Sequence, residues 1–321
     1  MKVLYLAQAG TLQPWYDDVC RPCAGRHDVH LFDAKKSVDS QMRDAKVVVD
    51  QGGSVGTREL MSAAKRNGVQ LWQILGTGVD HVDLQYLREC GLEVANTPGP
   101  FSAVALAEHC VFLMLYLFKQ YAAAQRNIAN GIRCAPLVGE LHGKTLGLVG
   151  LGASGQELAR RASAFGMRVV AIDIAAPGRD LLAELKTEYI GDASQLESLL
   201  QQSDIVSLHV PLLPSTKHLI NQQALRHMKR NAILINVARG GIVDEEALWV
   251  ALTERWIQGA AFDVFASEPI SPDHRLLNLD NVVVTPHIAG MTDGTSRRRG
   301  LAVVENLDRI AQGLPVLYRV G

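Results

Sequence analysis

The chain has 321 residues, enough for two domains with separate cores, and its 48% apolar and 20% charged residues are ordinary for a globular protein. Its 32 basic and 33 acidic residues leave a net charge of −1, so charge alone argues for neither nucleic acid nor an anionic membrane as a partner. The N-terminal apolar run, Val3 to Ala7, is short for a secretory signal, and the most apolar stretch, Cys110 to Phe118, is far below the roughly 20 residues of a membrane span, so a cytoplasmic protein is expected.

In chain order, Lys2–Ala7, Asp28–Phe32, Lys46–Asp50, Gln70–Leu75 and Leu92–Asn96 read as strands. Helical segments such as Thr57–Arg66, with Leu60, Met61 and Ala64 on one face, and Val82–Cys90 lie between them. Such alternation predicts an α/β fold with a parallel sheet covered on both faces. Phe101–Tyr121 follows the turn-rich Asn96-Thr97-Pro98-Gly99-Pro100 and reads as a long helix crossing between domains. A second series of strands follows at Thr145–Val149, Arg168–Asp173, Asp204–Val210, Ala232–Val237, Ala260–Phe265 and Val282–Val284. The tail, Thr295–Gly313, is an amphipathic helix expected to pack back on the first domain.

Five scattered cysteines, Cys20, Cys23, Cys90, Cys110 and Cys134, make no disulfide framework. Cys20 and Cys23 with His27 and His30 have a metal-like look, but the gap from Cys23 to His27 is too short for a zinc-finger hairpin, and no metal is expected.

Gly150, Gly152 and Gly155 form a GxGxxG turn, weak evidence by itself. Here it follows an apolar strand and opens a helix, Gln156–Phe165, and the next strand ends in Asp173. That context is the dinucleotide fingerprint: Gly150 for the tight turn, Gly152 for approach of backbone to pyrophosphate, Gly155 for close packing of helix on strand. Ala153 and Ser154 open the helix whose free amides would hold the phosphates. Asp173 can accept from both ribose hydroxyls and would repel a 2′-phosphate, which favours NAD over NADP.

Three further segments close strands of the second half: Asn236-Val237-Ala238-Arg239-Gly240-Gly241, Phe262 to Pro269, and Thr285-Pro286-His287-Ile288-Ala289-Gly290. Ligands bind beyond the carboxyl ends of strands in an open parallel sheet, so Arg239, Glu268 and His287 are placed on the cofactor side. A histidine suits proton exchange near neutrality, a carboxylate on its other nitrogen fixes the tautomer, and an arginine can fork onto a substrate carboxylate. Singly, each has a bland structural explanation; their shared placement argues for a catalytic set.

The chain resembles the D-isomer-specific 2-hydroxyacid dehydrogenase family over nearly its whole length. The motifs are GTGVDHVDL (Gly76–Leu84), NTPG (Asn96–Gly99), AEH (Ala107–His109), GKTLGLVGLGASGQ (Gly143–Gln156), HVPLLPST (His209–Thr216), NVARGGIVDEEAL (Asn236–Leu248), FDVFASEP (Phe262–Pro269) and TPHIAG. The resemblance implies two Rossmann-like domains with an active-site cleft, the substrate domain spanning 1–100 plus 291–321 and the NAD-binding domain 101–290. It implies Arg239 as substrate binder, Glu268 as partner of His287, and His287 as acid/base. It implies cofactor contacts from His209, Val210, Pro211, Thr216, Val237, Ala238, His287 and Gly290, and from Asp263 to the nicotinamide amide. Backbone amides of Gly52 and Gly53 after Gln51, and of Gly76, Gly78 and Val79, would hold the substrate carboxylate. A homodimer would pair through about Phe101 to Leu141.

Gln51 stands where phosphoglycerate-specific relatives tend to carry Arg, and those relatives often append a regulatory domain, whereas this chain stops at Gly321; both features point away from a phosphorylated substrate. Glu268 stands where formate dehydrogenases have Gln. The expected activity is hydride transfer between NAD(H) and a small 2-hydroxy or 2-keto acid of the hydroxypyruvate or glyoxylate type. Alternatives are an NAD(H)-sensing, corepressor-like binding protein and a dehydrogenase of phosphoglycerate or of a small oxyanion such as phosphite. Trp72 and Met291 are candidates for the side-chain pocket, and the glycine-containing Asn96–Gly99 and Ile288–Gly290 are candidate hinges.

Overall fold

The computed structural model describes residues 1–52, 56–80 and 82–320. The chain divides into two compact units, one formed by Met1–Ser102 with the tail from Met291, the other by Ala103–Gly290.

The first unit holds a five-stranded parallel sheet: β1 (Lys2–Leu6), β2 (Asp28–Leu31), β3 (Ala45–Asp50), β4 (Leu71–Ile74) and β5 (Glu93–Ala95), in the order β2-β1-β3-β4-β5. Side chains alternate across a strand, and here both sets are apolar. Leu4, Leu6, Val48, Trp72 and Ile74 fill one core, while Val3, Tyr5, Val47, Val49 and Leu71 fill the other. The helix Asp293–Ala311 contributes Val303, Val304 and Leu307 to this second core. Its Ser296 hydroxyl donates to Asp18 at 2.6 Å, and Gly300 passes so close that a Cβ would lie 2.6 Å from the Asp18 carbonyl. The expected return of the tail is therefore found. Cys23 is core here and burial pushes its thiol up to about 11, while His27 bonds Asp308 and His30 bonds Asp28.

The second unit carries a seven-stranded parallel sheet: β6 (Thr145–Val149), β7 (Arg168–Ile172), β8 (Thr187–Gly191), β9 (Ile205–Leu208), β10 (Ile233–Asn236), β11 (Gly259–Phe262) and β12 (Val282–Val284). The order β12-β11-β10-β9-β6-β7-β8 reverses between β6 and β9, the place where open sheets of this kind bind ligands. Val149, Val170, Val206, Leu208 and Phe262 face one core; Leu146, Leu148, Val169, Ile233 and Ile235 face the other.

Two expectations are corrected. β8 was not legible: Thr-Glu-Tyr-Ile-Gly is half polar, which its place at the sheet edge, with only β7 beside it, tolerates. The long helix stops at Phe118 and a second runs Tyr121–Ala129, because Gln120 takes a left-handed conformation (φ 47°). Lys119 and Gln120 side chains hold that break by donating to the carbonyls of Gly139 and Leu137. Among the described residues no single helix is long and apolar enough to cross a membrane.

Candidate active site

The turn after β6 is built by glycines for distinct reasons. Gly150 has φ +100°, and a Cβ there would lie 2.8 Å from the His209 carbonyl. A Cβ on Gly155 would lie 2.4 Å from the Gly150 carbonyl. Gly152 is the N-cap of the helix Ala153–Ala164; it offers no side-chain cap, and a Cβ on it would meet nothing within 4 Å. Uncapped amides facing open space at the positive end of a helix form a cradle for phosphate. Beside it, the Asp173 carboxylate accepts from Leu151 N at 2.6 Å and Ala175 N at 3.3 Å, which fixes it at the edge of the turn. These residues fit an adenine dinucleotide: Gly150, Gly152, Ala153, Ser154 and Gly155 toward the pyrophosphate and Asp173 toward a ribose.

His209 follows β9 across the sheet reversal. Its ring is held between the Ser154 hydroxyl (3.0 Å, Nδ1) and the Ser207 hydroxyl (2.9 Å, Nε2). Burial pushes this imidazole down to about 4, so it is neutral through the physiological range. The same loop runs through Val210 and Pro211 to Thr216, whose hydroxyl donates to the Pro211 carbonyl at 2.6 Å. This places His209 against the first turn of the phosphate-binding helix.

Arg239 rides on a turn set by the fully buried Asn236 at the end of β10. Asn236 accepts from Ala238 N at 3.0 Å and donates to the Arg239 carbonyl at 2.9 Å, immediately beyond the buried Val237. Gly240 then passes so near the chain that a Cβ would lie 1.8 Å from the Phe265 carbonyl carbon. The Arg239 turn and the loop after β11 are thereby packed backbone to backbone.

That loop carries Glu268. Its Oε1 accepts from Phe265 N at 2.8 Å and its Oε2 lies 2.6 Å from His287 Nδ1. His287 is 52% exposed at its side chain, so one face of the ring is pinned and the other open. The Glu268 hydrogen bond raises the His287 titration above its ordinary value, against burial, with the Glu268 and Asp263 charges adding and Arg239 opposing. Burial would lift the Glu268 carboxyl, but the bonds from His287 and Phe265 N and the charges of His287 and Arg239 outweigh it, and the net direction is down. Both shifts favour the carboxylate–imidazolium pair.

The turn that presents His287 is anchored from below. Asp263, 1% exposed, accepts from Thr285 Oγ1 at 2.5 Å, Ile288 N at 2.8 Å and Ala289 N at 2.8 Å, while its carbonyl accepts from His287 N at 2.8 Å. In the structure Asp263 is a clamp on Thr285–Ala289, with Gly290 immediately after. The second unit thus brings together Arg239, Glu268, His287 and Asp263.

The expected substrate loops lie in the first unit. Gly52 N donates to Asp50 Oδ1 at 3.1 Å; Gly53 lies outside the described residues. Gly76, Gly78 and Val79 follow β4 in a half-buried turn held by Thr77, whose hydroxyl donates to the Thr97 carbonyl at 3.1 Å. Gln51 keeps its place after β3, and one reading, Trp72 as a pocket residue, is corrected. Gln51 is buried and spends its amide on Gln8 N, the Thr11 carbonyl and the Thr11 hydroxyl, tying the loop after β1 to the loop after β3. Trp72 is fully buried core, its indole donating to Asp50 at 3.1 Å, and lines no pocket. The supports Asn236, Thr285 and Asp50 were missed as such; the first two sat inside quoted motifs, but nothing in spacing tells a support from a contact.

Residues 111–289 match the family model for the NAD binding domain of D-isomer specific 2-hydroxyacid dehydrogenases. The chain is 40% identical over 268 residues to a hydroxypyruvate reductase of Thermotoga maritima, covering 82% of this chain and 84% of that protein. It is 36% identical over 283 residues to a D-3-phosphoglycerate dehydrogenase of Methanocaldococcus jannaschii, covering 87% of this chain but only 52% of that one. The structure resembles that of a D-lactate dehydrogenase with NAD+ from Lactobacillus jensenii, with TM-score 0.84 and 27% identity over all of both chains. With two helix-covered parallel sheets and a dinucleotide cradle already in place, the chain belongs to the D-isomer-specific 2-hydroxyacid dehydrogenase family and is an NAD-dependent oxidoreductase of 2-hydroxy acids.

Proposed function

We propose that the chain interconverts a small 2-keto acid of the hydroxypyruvate or glyoxylate type and the corresponding 2-hydroxy acid, with His287 as acid/base, Glu268 as its partner and Arg239 as the group that binds the substrate carboxylate. In this reading residues 1–100 plus 291–321 form the substrate domain and 101–290 the NAD-binding domain. A nicotinamide cofactor held by the Gly150–Gly155 turn would supply or accept the hydride. The chain's own residues handle the proton and the charge. Because Nδ1 is committed to Glu268, Nε2 is the nitrogen that exchanges a proton with substrate. The imidazolium, favoured by Glu268, donates in reduction; the neutral ring accepts in oxidation. Arg239 forks onto the carboxylate and draws electron density from the carbonyl. In this reading amides of Gly76, Gly78 and Val79 also serve the substrate carboxylate, whereas the Gly52 N–H is taken by Asp50. The 2.6 Å His287–Glu268 bond supports this reading most directly.

The assay is a panel of 2-keto acids with NADH, set beside phosphoglycerate and phosphite with NAD. Hydroxypyruvate or glyoxylate should give the highest kcat/KM. His287→Ala should cost about 10³-fold or more in kcat while leaving NADH binding within about twofold. Wild-type turnover in that variant rejects the assignment. Tight NADH binding with no activity on any substrate would favour the sensor.

A cytoplasmic homodimer pairing through residues 101–141 is part of the same proposal. It is supported by exposed Phe112, Tyr121, Ile128, Ile132 and Leu137, the last 95% exposed, along that stretch. Apolar area of this extent suits a second copy. The scattered cysteines are all free, as a reducing compartment would keep them.

A further inference from the structure

We propose that His109 is a positioning residue for proton exchange at His287, acting through the Thr285 hydroxyl and the buried Asp263 carboxylate. The proposal rests on the acid/base role of His287. His109 lies on the helix Ala103–Phe118, and its Nε2 is 3.0 Å from Thr285 Oγ1. The same Thr285 oxygen is 2.5 Å from Asp263 Oδ1. An ionised carboxylate only accepts, so the threonine proton goes to Asp263. The hydroxyl oxygen can then only accept from the ring, which makes His109 the Nε2–H tautomer. The order of donation is therefore His109 to Thr285 to Asp263.

That chain ends on the turn presenting His287. Asp263 also holds Ile288 N and Ala289 N, so its contacts bracket Pro286-His287 on both sides. His287 has φ +56°, a left-handed backbone that a non-glycine residue adopts only when its surroundings impose it. Without the His109 donor, the Thr285 oxygen is released to rotate, and Asp263 loses the orientation that holds its carboxylate in the plane of the turn. Burial keeps the His109 ring below its ordinary titration, against the pull of Asp263, so the neutral tautomer is the working form. The ring packs beside Phe112, centroids 5.8 Å apart, which allows a phenyl replacement of similar volume.

The test uses His109→Phe and His109→Gln in the full chain. The phenyl variant should lower kcat by ~10- to 100-fold, the usual cost of a displaced reacting group, with NADH affinity and Tm unchanged. The glutamine variant, which can place an N–H near the same point, should recover kcat to within about threefold of wild type. A readout independent of turnover is the titration of His287 by imidazole NMR. Its facing charges are Glu268, Asp263 and Arg239, and in His109→Phe it should fall toward the ordinary histidine value as the Glu268 contact loosens. Unchanged kcat and unchanged His287 titration in the phenyl variant overturn the proposal. So does a loss of kcat that tracks only a loss of Tm, or a glutamine variant no better than phenylalanine. Should His287→Ala keep turnover, it is the acid/base reading that fails, and the NMR titration still decides whether His109 orients the ring.

Discussion

Two strand ends in this protein use the same device differently. Asp50 closes β3 in the first unit and Asp263 follows β11 in the second; each is 1% exposed. Asp50 takes Gly52 N from its own loop and the Trp72 indole from the neighbouring strand. Asp263 takes three donors from the turn after the next strand, Thr285, Ile288 and Ala289. The first clamp holds its own loop, by Gly52 N, and a core indole on the adjacent strand. The second spends three donors on one turn after the adjacent strand and sets where one ring stands. An acid/base needs its side chain placed relative to a partner on another loop, and an anchor devoted to its turn supplies that.

This contrast predicts separable defects. Asp263→Ala should be the most severe, leaving buried donors unpaired at about 3–5 kcal/mol in total and lowering kcat by about 100-fold or more. Urea unfolding and steady-state kinetics measure both, and an intact kcat would remove the distinction between the clamps. Glu268→Gln should come next. It removes the largest cause that raises His287, so the titration drops, and reduction, which needs the imidazolium, should lose its activity at lower pH than wild type. Oxidation, which needs the neutral ring, should extend to lower pH; kcat should fall about tenfold. A pH–rate profile whose limbs stay in place contradicts the pairing. Asp50→Ala should act mainly on KM, raising it by about tenfold while kcat changes less, since it loosens a loop rather than the acid/base. A kcat effect matching that of Asp263→Ala would erase the contrast.

The smallest effect belongs to a neutral clamp, His209. Its titration is depressed in the folded state to about 4 from an ordinary 6.5, so the unfolded chain takes up the proton first as pH falls. Stability from this group is complete above about pH 6.5 and lost as pH falls toward about 4, at most about 3 kcal/mol. Urea midpoints across that window should slope in the wild type and flatten in His209→Gln. Equal slopes would mean other groups set the acid limb.

Much of the architecture was legible. The strands of the first unit and all but one of the second follow from apolar runs bounded by turn residues, because a parallel sheet covered on both faces demands apolar side chains on both. β8 escaped because Thr187, Glu188, Tyr189, Ile190 and Gly191 form no apolar run, a composition its place at the sheet edge tolerates. The helix break at Gln120 escaped because its cause, Lys119 and Gln120 reaching the 137–139 segment, lies outside the local sequence. Trp72 was read as a candidate pocket residue and is buried core; an apolar residue in a strand reads the same either way until its neighbours are known.

The order of residues by itself determined the dinucleotide turn, the sequence of strands and helices, and the three chain segments that bear Arg239, Glu268 and His287. Those depend on period, on glycine's freedom and on short-range spacing. The tertiary structure alone decided that Nδ1 of His287 faces Glu268, that Asp263 spends its oxygens on the turn, and that His109 joins them through Thr285. Hydrogen-bond direction and burial depend on which side chains arrive at a point in space, and residues from 109 to 289 meet there only after two faces of one sheet have been covered.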